Sequence, residues 1–555
     1  MTASSPAEYS TGEYSTGEYL AVPSLPDLLV RACHRHGDRP ALSIDGARQT
    51  FHELFDRAVL TARSLAALGV GRRSRVGIYM PNCAEFVEVL FGASMLGATV
   101  VPINNRFRSR ELTHIQAEAE LGVILTRQAS ADSPDHPGRL LAVMSERPGP
   151  RPIVVVLGEP RERAAAQGAI ADPEFRSLAD GIAAATVQDS RSRIRLRDVA
   201  AILYTSGTTA MPKGCIHTHE ALVRNGIMTG RSRFLLSDQD RFFDPLPMFH
   251  VSFLTPMIAC VDAGAEMISM SRFDGEQALE IIESQRATWV FAAFQAIAGG
   301  LMGAASFGRR STGSVRMSMC VGNPPDLRRF QAAFPAADLL STYGSTETGG
   351  VITYHEPNAT REQRVTTCGT AFRGVELAIK DLDSPAHLGA GRIGEILVRG
   401  YSVLDGYLND PRATAEAVDA DGWLHTGDLG VIDDSGQLIF HGRVKDMIKV
   451  GGENVSPAEI EALLAEHPAV LVVHVVGAPD PRLDEVVAAY IEVVPGESVS
   501  EQDVISFCAE QVARFKVPRY VRFVDDWPMS ATKVRKDELR RRIAAELAGA
   551  AVQST

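Results

Sequence analysis

Apolar residues recur at helical spacing in LPDLLVRACHRHGDRPAL from Leu25, where Gly37 and Pro40 end the run, and again in FHELFDRAVLTARSLAALGV, where Gly69 supplies a C-terminal stop. Short apolar runs without a helical period, such as VGIYM and LGVILT, alternate with these segments up to about residue 185. That alternation predicts α/β architecture. The run over 199–204 reads as a buried strand. The most membrane-like stretch, 86–103, is broken by Glu88, Gly92, Gly97 and Pro102, so it predicts a helix followed by a strand and no membrane span. Residues 1–19 contain EYSTGEYSTGEY, which has no apolar period and cannot offset its ordering entropy, and are expected to be a disordered tail. Residues 458–547 change pattern to a small α+β domain: helix AEIEALLAEH, strands VVHVVGAPD and VVAAYIEVV, helix EQDVISFCAEQVA, strand RYVRFVDD and a basic closing helix.

A chain of 555 residues exceeds a single core and predicts several packed subdomains. Its net charge of -12 argues against a nucleic-acid partner, which would call for a basic stripe. The seven cysteines are odd in number, widely spaced and never form C-x-x-C, which favours a reducing, cytoplasmic setting without structural zinc. The N-terminus lacks a basic region followed by an apolar core, so no signal peptide is expected.

The chemistry gathers first at YTSGTTAMPKG, 204–214. Thr205, Ser206, Thr208 and Thr209, with Gly207 between them, let hydroxyls and backbone N–H groups converge on one anion, and Lys213 adds a point charge. A Walker loop would need Gly-Lys-Ser/Thr, whereas Pro212 precedes Lys213 and Gly214 follows it. A plain polar loop is the simpler reading of such a cluster. The apolar lead-in favours a loop delivered to a sheet edge, where α/β folds bind nucleotides.

This segment resembles the signature loop of the adenylate-forming superfamily, which holds acyl-CoA synthetases, peptide-synthetase adenylation domains and beetle luciferases. The family's other signatures follow in its order over about 24–547. In STYGSTETGG, Tyr343 offers an aromatic face for a base, Thr346 a hydroxyl for the α-phosphate, and Glu347 a hard oxygen ligand for Mg²⁺. In GWLHTGDLG, Asp428, placed after a turn, can accept from both ribose hydroxyls, and Arg443 of HGRVKD reaches the ribose in the family. In MCVGNPPD, Gly322 and Asn323 pass their backbone along the adenine.

The resemblance further implies that PMFH places His250, with Val251, at the gate of an acyl pocket walled by Ala292, Ala293 and Phe294, although plain helix packing explains those alanines equally well. Leu246 stands where amino-acid-activating relatives carry an ammonium-binding aspartate. Lys445 falls at the family's hinge, and beyond it Lys449, Gly451 and Gly452 border the pantetheine of CoA. Lys516, Arg519 and Arg522 either meet CoA phosphates or form a solvated charged face.

MCVGNPPD departs from the family's usual GGAP-like turn, Ala210 stands where its cradle usually has a glycine, and the larger break lies near the C-terminus. Relatives show P-x-T-x-T-G-K before the lysine that stabilises adenylation; here the segment Pro528-Met529-Ser530-Ala531-Thr532-Lys533 lacks the glycine and is one residue shorter.

The expectation is therefore an α/β N-terminal adenylate- and acyl-binding domain of stacked subdomains over 20–444, joined by a hinge to a mobile α+β domain over 445–555. The expected activity is acyl-CoA ligation through an acyl-adenylate, using ATP or supplied acyl-AMP, Mg²⁺ and coenzyme A, with Lys533, Thr346, Glu347 and His250 as catalytic residues. Alternatives are a thioesterification-only ligase, acyl transfer to a carrier protein or amine, and a non-catalytic nucleotide-binding protein. Partners would be a small carboxylic acid or its adenylate and CoA, with a homodimer and a separate adenylating enzyme as further candidates.

Overall fold

The computed structural model describes residues 22–127, 135–145, 151–158, 164, 168–205, 211–529 and 534–553, with side chains described to residue 548. The expected tail, 1–19, lies outside them.

Helix Leu25–His36 begins where Ser24 Oγ accepts from the backbone N–H of Asp27. Helix Phe51–Ala67 opens on a reciprocal cap: Thr50 Oγ1 accepts from Glu53 N at 3.2 Å, and Glu53 Oε2 accepts from Thr50 N at 2.8 Å. It ends at Gly69, whose φ of 82° lets Val70 N reach back to the Leu65 carbonyl at 3.0 Å. The 86–103 stretch forms the buried helix Ala84–Met95 and the strand Thr99–Pro102. Its Glu88 is paired, accepting from Arg176 Nη2 at 3.0 Å and Gln49 Nε2 at 3.1 Å, as a carboxylate inside a core requires. Among the described residues no helix is long and apolar enough to cross a membrane.

Among the described residues the strands of the large N-terminal domain form four sheets. Arg241–Phe243, Trp289–Ala293, Met317–Cys320 and Asp338–Leu340 run parallel in a seven-stranded sheet, so their C-terminal ends open on one side. An eight-stranded sheet carries the parallel strands Thr99–Pro102, Arg75–Tyr79 and Val123–Arg127, then Val199–Thr205, Lys213–Thr218 and Gly406–Tyr407 at its antiparallel edge. A three-stranded sheet over Thr342–Ser345, Gly350–Tyr354 and Thr370–Ala371 and a five-stranded antiparallel sheet containing Leu424–Ile432 and Leu438–Arg443 complete the domain. Helices His219–Thr229 and Val251–Ala263 pack closely enough that a Cβ on Gly226 would lie 2.3 Å from Ile258 Cγ2.

The small C-terminal domain has a core of its own. Ile448, Val475, Val487 and Ile491 pack with Ile460 of helix Pro457–Leu464 and Val504 of helix Glu501–Ala509. Leu539 and Ile543 of helix Lys536–Gln553 cover the other face of the same sheet. Strands Val470–Asp480, Asp484–Val493 and Tyr520–Phe523 stand in the order the pattern predicts, and the hairpin Ile448–Val450 with Glu453–Val455 is an addition to it.

Three buried histidines, His217, His219 and His355, have pKa values lowered to about 4, in each case chiefly by burial. Two of them accept from backbone N–H groups through Nδ1, His219 from Leu25 at 3.2 Å and His355 from Ser341 at 3.3 Å, which demands the neutral ring. The unfolded chain, with ordinary values near 6.5, takes up protons that the fold refuses. Stability is therefore expected to be full above about pH 6.5 and to fall as pH drops toward 4, by up to about 1.4 kcal/mol per pH unit for each ring. Urea unfolding followed from pH 7.5 to 4.5 checks this, and His219→Gln should flatten the slope.

Candidate active site

The anion cradle is the loop of a hairpin. Strands Val199–Thr205 and Lys213–Thr218 pair antiparallel with Tyr204 opposite Gly214 and Thr205 opposite Lys213, so the loop leaves the sheet between Thr205 and Lys213. Ser206, Gly207, Thr208 and Thr209 lie outside the described residues. The stem is fixed from two sides. Tyr204 Oη donates to Glu118 Oε2 at 2.7 Å and His114 Nε2 donates to the Pro212 carbonyl at 3.0 Å, both from helix Ser109–Glu118, while Leu408 N donates to the Gly214 carbonyl at 2.8 Å.

Thr346 and Glu347 occupy the turn between strands Thr342–Ser345 and Gly350–Tyr354. Gly349 and Gly350 have φ of 65° and 110°, conformations that favour glycine. A Cβ on Gly350 would lie 2.5 Å from Thr255 Oγ1 and 3.2 Å from Val251 Cγ2, and Asn225 Nδ2 donates to the Gly349 carbonyl at 3.0 Å. The turn thus rests on the first turns of helix Val251–Ala263, whose N-cap is His250. Glu347 Oε1 accepts from Tyr407 Oη at 3.2 Å, and the Lys213 ammonium lies 5.1 Å from the centre of the Tyr407 ring.

Asp428 does not follow a turn, the position the sequence predicts: it lies within strand Leu424–Ile432, directly opposite Arg443, and is 8% exposed. Its Oδ1 accepts from Arg443 Nε and its Oδ2 from Tyr343 Oη, each at 2.8 Å. Each oxygen keeps a further acceptor position. Burial and the Asp428 charge push the Tyr343 phenol well up, so it stays a donor. Burial opposes the Arg443 charge, but the neighbouring carboxylate outweighs it and raises its pKa. Phe440, 42% exposed, lies nearly parallel to Tyr343 with ring centres 6.1 Å apart.

Ala292 and Ala293, the expected acyl-pocket wall, belong to strand Trp289–Ala293, which corrects the helix-packing alternative. The strand ends in a tight turn in which Ala293 takes φ of 50° and Phe294 N donates to the Ala292 carbonyl at 2.5 Å, before helix Gln295–Met302. This turn carries Phe294 and Gln295 beside Gly322, where a Cβ would lie 2.2 Å from Gln295 Nε2. Asn323 caps helix Pro324–Ala333, its Oδ1 accepting from Asp326 N at 2.9 Å, so its side chain is committed to the helix. Strands Arg241–Phe243 and Trp289–Ala293 pair in parallel, so the exits toward His250 and Phe294 stand side by side.

Lys445 lies in the single turn Val444–Asp446. Lys449, Gly451 and Gly452 are exposed on the small domain, the glycines at φ of 59° and 91° in the turn of its first hairpin. Lys533 lies outside the described residues. Lys516, Arg519 and Arg522 are each paired with a carboxylate, Glu459, Asp480 and Glu546 respectively, which favours the charged-face reading over a free phosphate site.

No group of three or more His, Cys, Asp or Glu side chains converges as a metal cage among the described residues. Mg²⁺ commonly binds through one or two carboxylates together with substrate phosphates and water. Glu347, beside the stem lysine of the cradle, fits an ion that arrives with a polyphosphate. The sequence reading missed Tyr407 and Phe440. For Tyr407 the signal available was GYLNDP, a Gly-Tyr pair before a turn and helix start.

The AMP-binding enzyme family profile matches residues 29–408, and the AMP-binding enzyme C-terminal domain profile matches 459–533. A propanoyl:CoA ligase of Mycobacterium tuberculosis, whose acyl group carries a methyl-dioxo-octahydroindenyl ring system, is 35% identical over 525 residues, covering 94% of this chain and 98% of that protein. The 4-coumarate–CoA ligase 1 of Oryza sativa subsp. japonica is 33% identical over 524 residues, covering 91% of this chain and 90% of the relative. The crystal structure of ATP-bound MatB from Rhodopseudomonas palustris superimposes with a TM-score of 0.80 at 26% identity, covering 93% of this chain and 98% of MatB.

Removing the Asp428 carboxylate takes away two acceptor oxygens and leaves Tyr343 and Arg443 without their shared partner. Asp428→Ala is expected to weaken AMP binding about 10- to 100-fold, the scale of one charge-assisted hydrogen bond. Isothermal calorimetry with AMP measures it, and Arg443→Ala should fall in the same range.

Proposed function

The chain belongs to the AMP-binding enzyme family, and from that membership we propose that it is a carboxylic acid–CoA ligase that activates its acid as an acyl-adenylate. In the first half-reaction a carboxylate oxygen attacks the α-phosphorus of ATP, the bond to the β-phosphate oxygen breaks, and pyrophosphate leaves. In the second, the CoA thiolate attacks the acyl carbon, the acyl–phosphate C–O bond breaks, and AMP leaves.

The observation that carries this reading is the buried Asp428 carboxylate, held by Tyr343 and Arg443 with acceptor capacity to spare for a ribose. Thr346 would meet the α-phosphate, and Lys213 and Thr205 the outer phosphates. Glu347 would hold Mg²⁺, which supplies charge neutralisation for the leaving pyrophosphate. Gly322 and Asn323 would border the adenine.

The acid is one with an apolar body and no α-ammonium group. Leu246, Ala292 and Ala293 are buried where the acyl group would enter. The nearby Asp244 is no cation receptor, because full burial pushes its carboxyl well above the usual range and Leu246 N donates to its Oδ1 at 2.9 Å. The cysteines, six of seven buried and none in a disulfide, support a reducing cytoplasmic setting.

We also place the domain boundary at 444/445 with Lys445 as the hinge, since the Val444–Asp446 turn joins the antiparallel sheet of one domain to the first strand of the other. Swinging there would present Lys533 for adenylation and then Lys449, Gly451 and Gly452 for thioester formation. Lys445→Pro, which fixes φ near -65°, should change the two half-reactions unequally. Retention of both rates within about twofold, well below one power of ten, would reject Lys445 as the hinge.

The short Lys533 loop favours a second reading of the same site, a ligase that thioesterifies a supplied adenylate better than it makes one. Acid-dependent pyrophosphate release and thioesterification of synthetic acyl-adenylates, measured across one panel of acids, separate the two. The second rate should exceed the first. Inserting Gly between Thr532 and Lys533 should raise adenylation about 10²-fold, the scale of one restored transition-state donor, and leave thioesterification unchanged. Robust pyrophosphate release by the unmodified protein with no gain on insertion would establish the full two-step ligase instead. CoA-dependent AMP release would eliminate the non-catalytic alternative.

A further inference from the structure

Tyr407 touches two groups of the active site that approach it from different sheets. It stands on the edge strand Gly406–Tyr407, in register with Cys215, two residues beyond Lys213 on the neighbouring strand. Its hydroxyl donates to Glu347 Oε1 at 3.2 Å, while its ring lies under the Lys213 ammonium at 5.1 Å. The Cys215 thiol, buried opposite it, lies in the field of both charges: burial raises its pKa, Glu347 raises it further, and Lys213 lowers it.

The tyrosine is itself held rigidly. Its N–H donates to Thr414 Oγ1 at 2.9 Å, and Thr414 belongs to helix Pro411–Ala417, which Asp410 caps. A Cβ on Gly406, at φ of 149°, would lie 3.1 Å from Thr414, so the chain closes tightly on its own helix. On one side Leu404 N donates to the Glu347 carbonyl, and on the other Leu408 N donates to the Gly214 carbonyl, both at 2.8 Å. Residues 404–408 are thus a strap fastened at one end to the Glu347 turn and at the other to the stem of the cradle.

We propose that Tyr407 is a positioning residue that sets Glu347 and Lys213 at their working separation for a metal–polyphosphate substrate. It acts on the carboxylate by a hydrogen bond that orients Oε1 and on the ammonium through the ring face. The inference rests on the ligase reading and adds to it the residue that couples its metal-binding carboxylate to its cradle. The hydroxyl should govern the metal dependence of nucleotide binding. The ring should govern polyphosphate affinity whether or not metal is present.

Binding by the full-length protein tests this without recourse to turnover. ATP binding is titrated by calorimetry at a series of Mg²⁺ concentrations, with metal-free AMP as a reference ligand and the melting midpoint as a control. Tyr407→Phe should leave AMP affinity and melting unchanged while raising the Mg²⁺ concentration for half-maximal ATP binding about 3- to 10-fold, as loss of one orienting hydrogen bond implies. Tyr407→Leu should further weaken metal-free ATP binding about 2- to 5-fold through the lost cation–π contact. In the double variant with Glu347→Gln, the Tyr407→Phe effect on the Mg²⁺ requirement should vanish, because both changes remove one coupled device. An unchanged Mg²⁺ requirement in Tyr407→Phe, or full additivity with Glu347→Gln, would overturn the proposal and leave the ligase reading standing. Failure of the unmodified protein to bind either AMP or MgATP would overturn both.

Discussion

A carboxylate that is 8% exposed cannot stand alone, and the arrangement around Asp428 follows from that cost. Its two oxygens are engaged by one neutral and one charged donor from opposite sides, Tyr343 from the three-stranded sheet and Arg443 from the adjacent strand of its own sheet. One shared anion therefore fastens two sheets that otherwise have separate hydrogen-bond ladders. An exposed carboxylate would lack this preorganisation, because water would hold it in many orientations.

The cradle obeys a related constraint. Its stem is fixed by long-range contacts and not by the local sequence alone. Antiparallel pairing sets Thr205 opposite Lys213, and the stem is then anchored by residues far away in sequence: Glu118, His114 and Leu408. The strap through Leu404, Tyr407 and Leu408 ties the stem at Gly214 to the Glu347 turn. By contrast, Gly451 and Gly452 belong to a domain whose sheet is covered on both faces by its own helices, so its core is its own.

Backbone strain sits at Ala293, which holds φ of 50° at the end of a buried strand. A non-glycine residue keeps such a conformation only when the surrounding structure imposes it, and the parallel pairings on both edges of Trp289–Ala293 supply that constraint. Gly350, at φ of 110° against Thr255, carries no such strain, because glycine adopts positive φ freely.

Local chemistry made much of this legible in advance. Period-3.6 runs marked the helices from Leu25 and Phe51, interruptions at Gly97 and Pro102 separated a helix from a strand, STYGSTETGG and GWLHTGDLG pointed to Tyr343, Glu347 and Asp428, and the family resemblance of HGRVKD pointed to Arg443. These features depend on residues close together in the chain, so the sequence alone determined them. The tertiary structure decided that Asp428 is buried within a strand, that Ala292 and Ala293 end a strand, and that Tyr407 meets Glu347 across 60 positions and Tyr343 meets Asp428 across 85. Such pairings depend on the order and register of strands in a sheet, and a period of two or 3.6 residues specifies which face a side chain takes without specifying which distant strand will lie beside it.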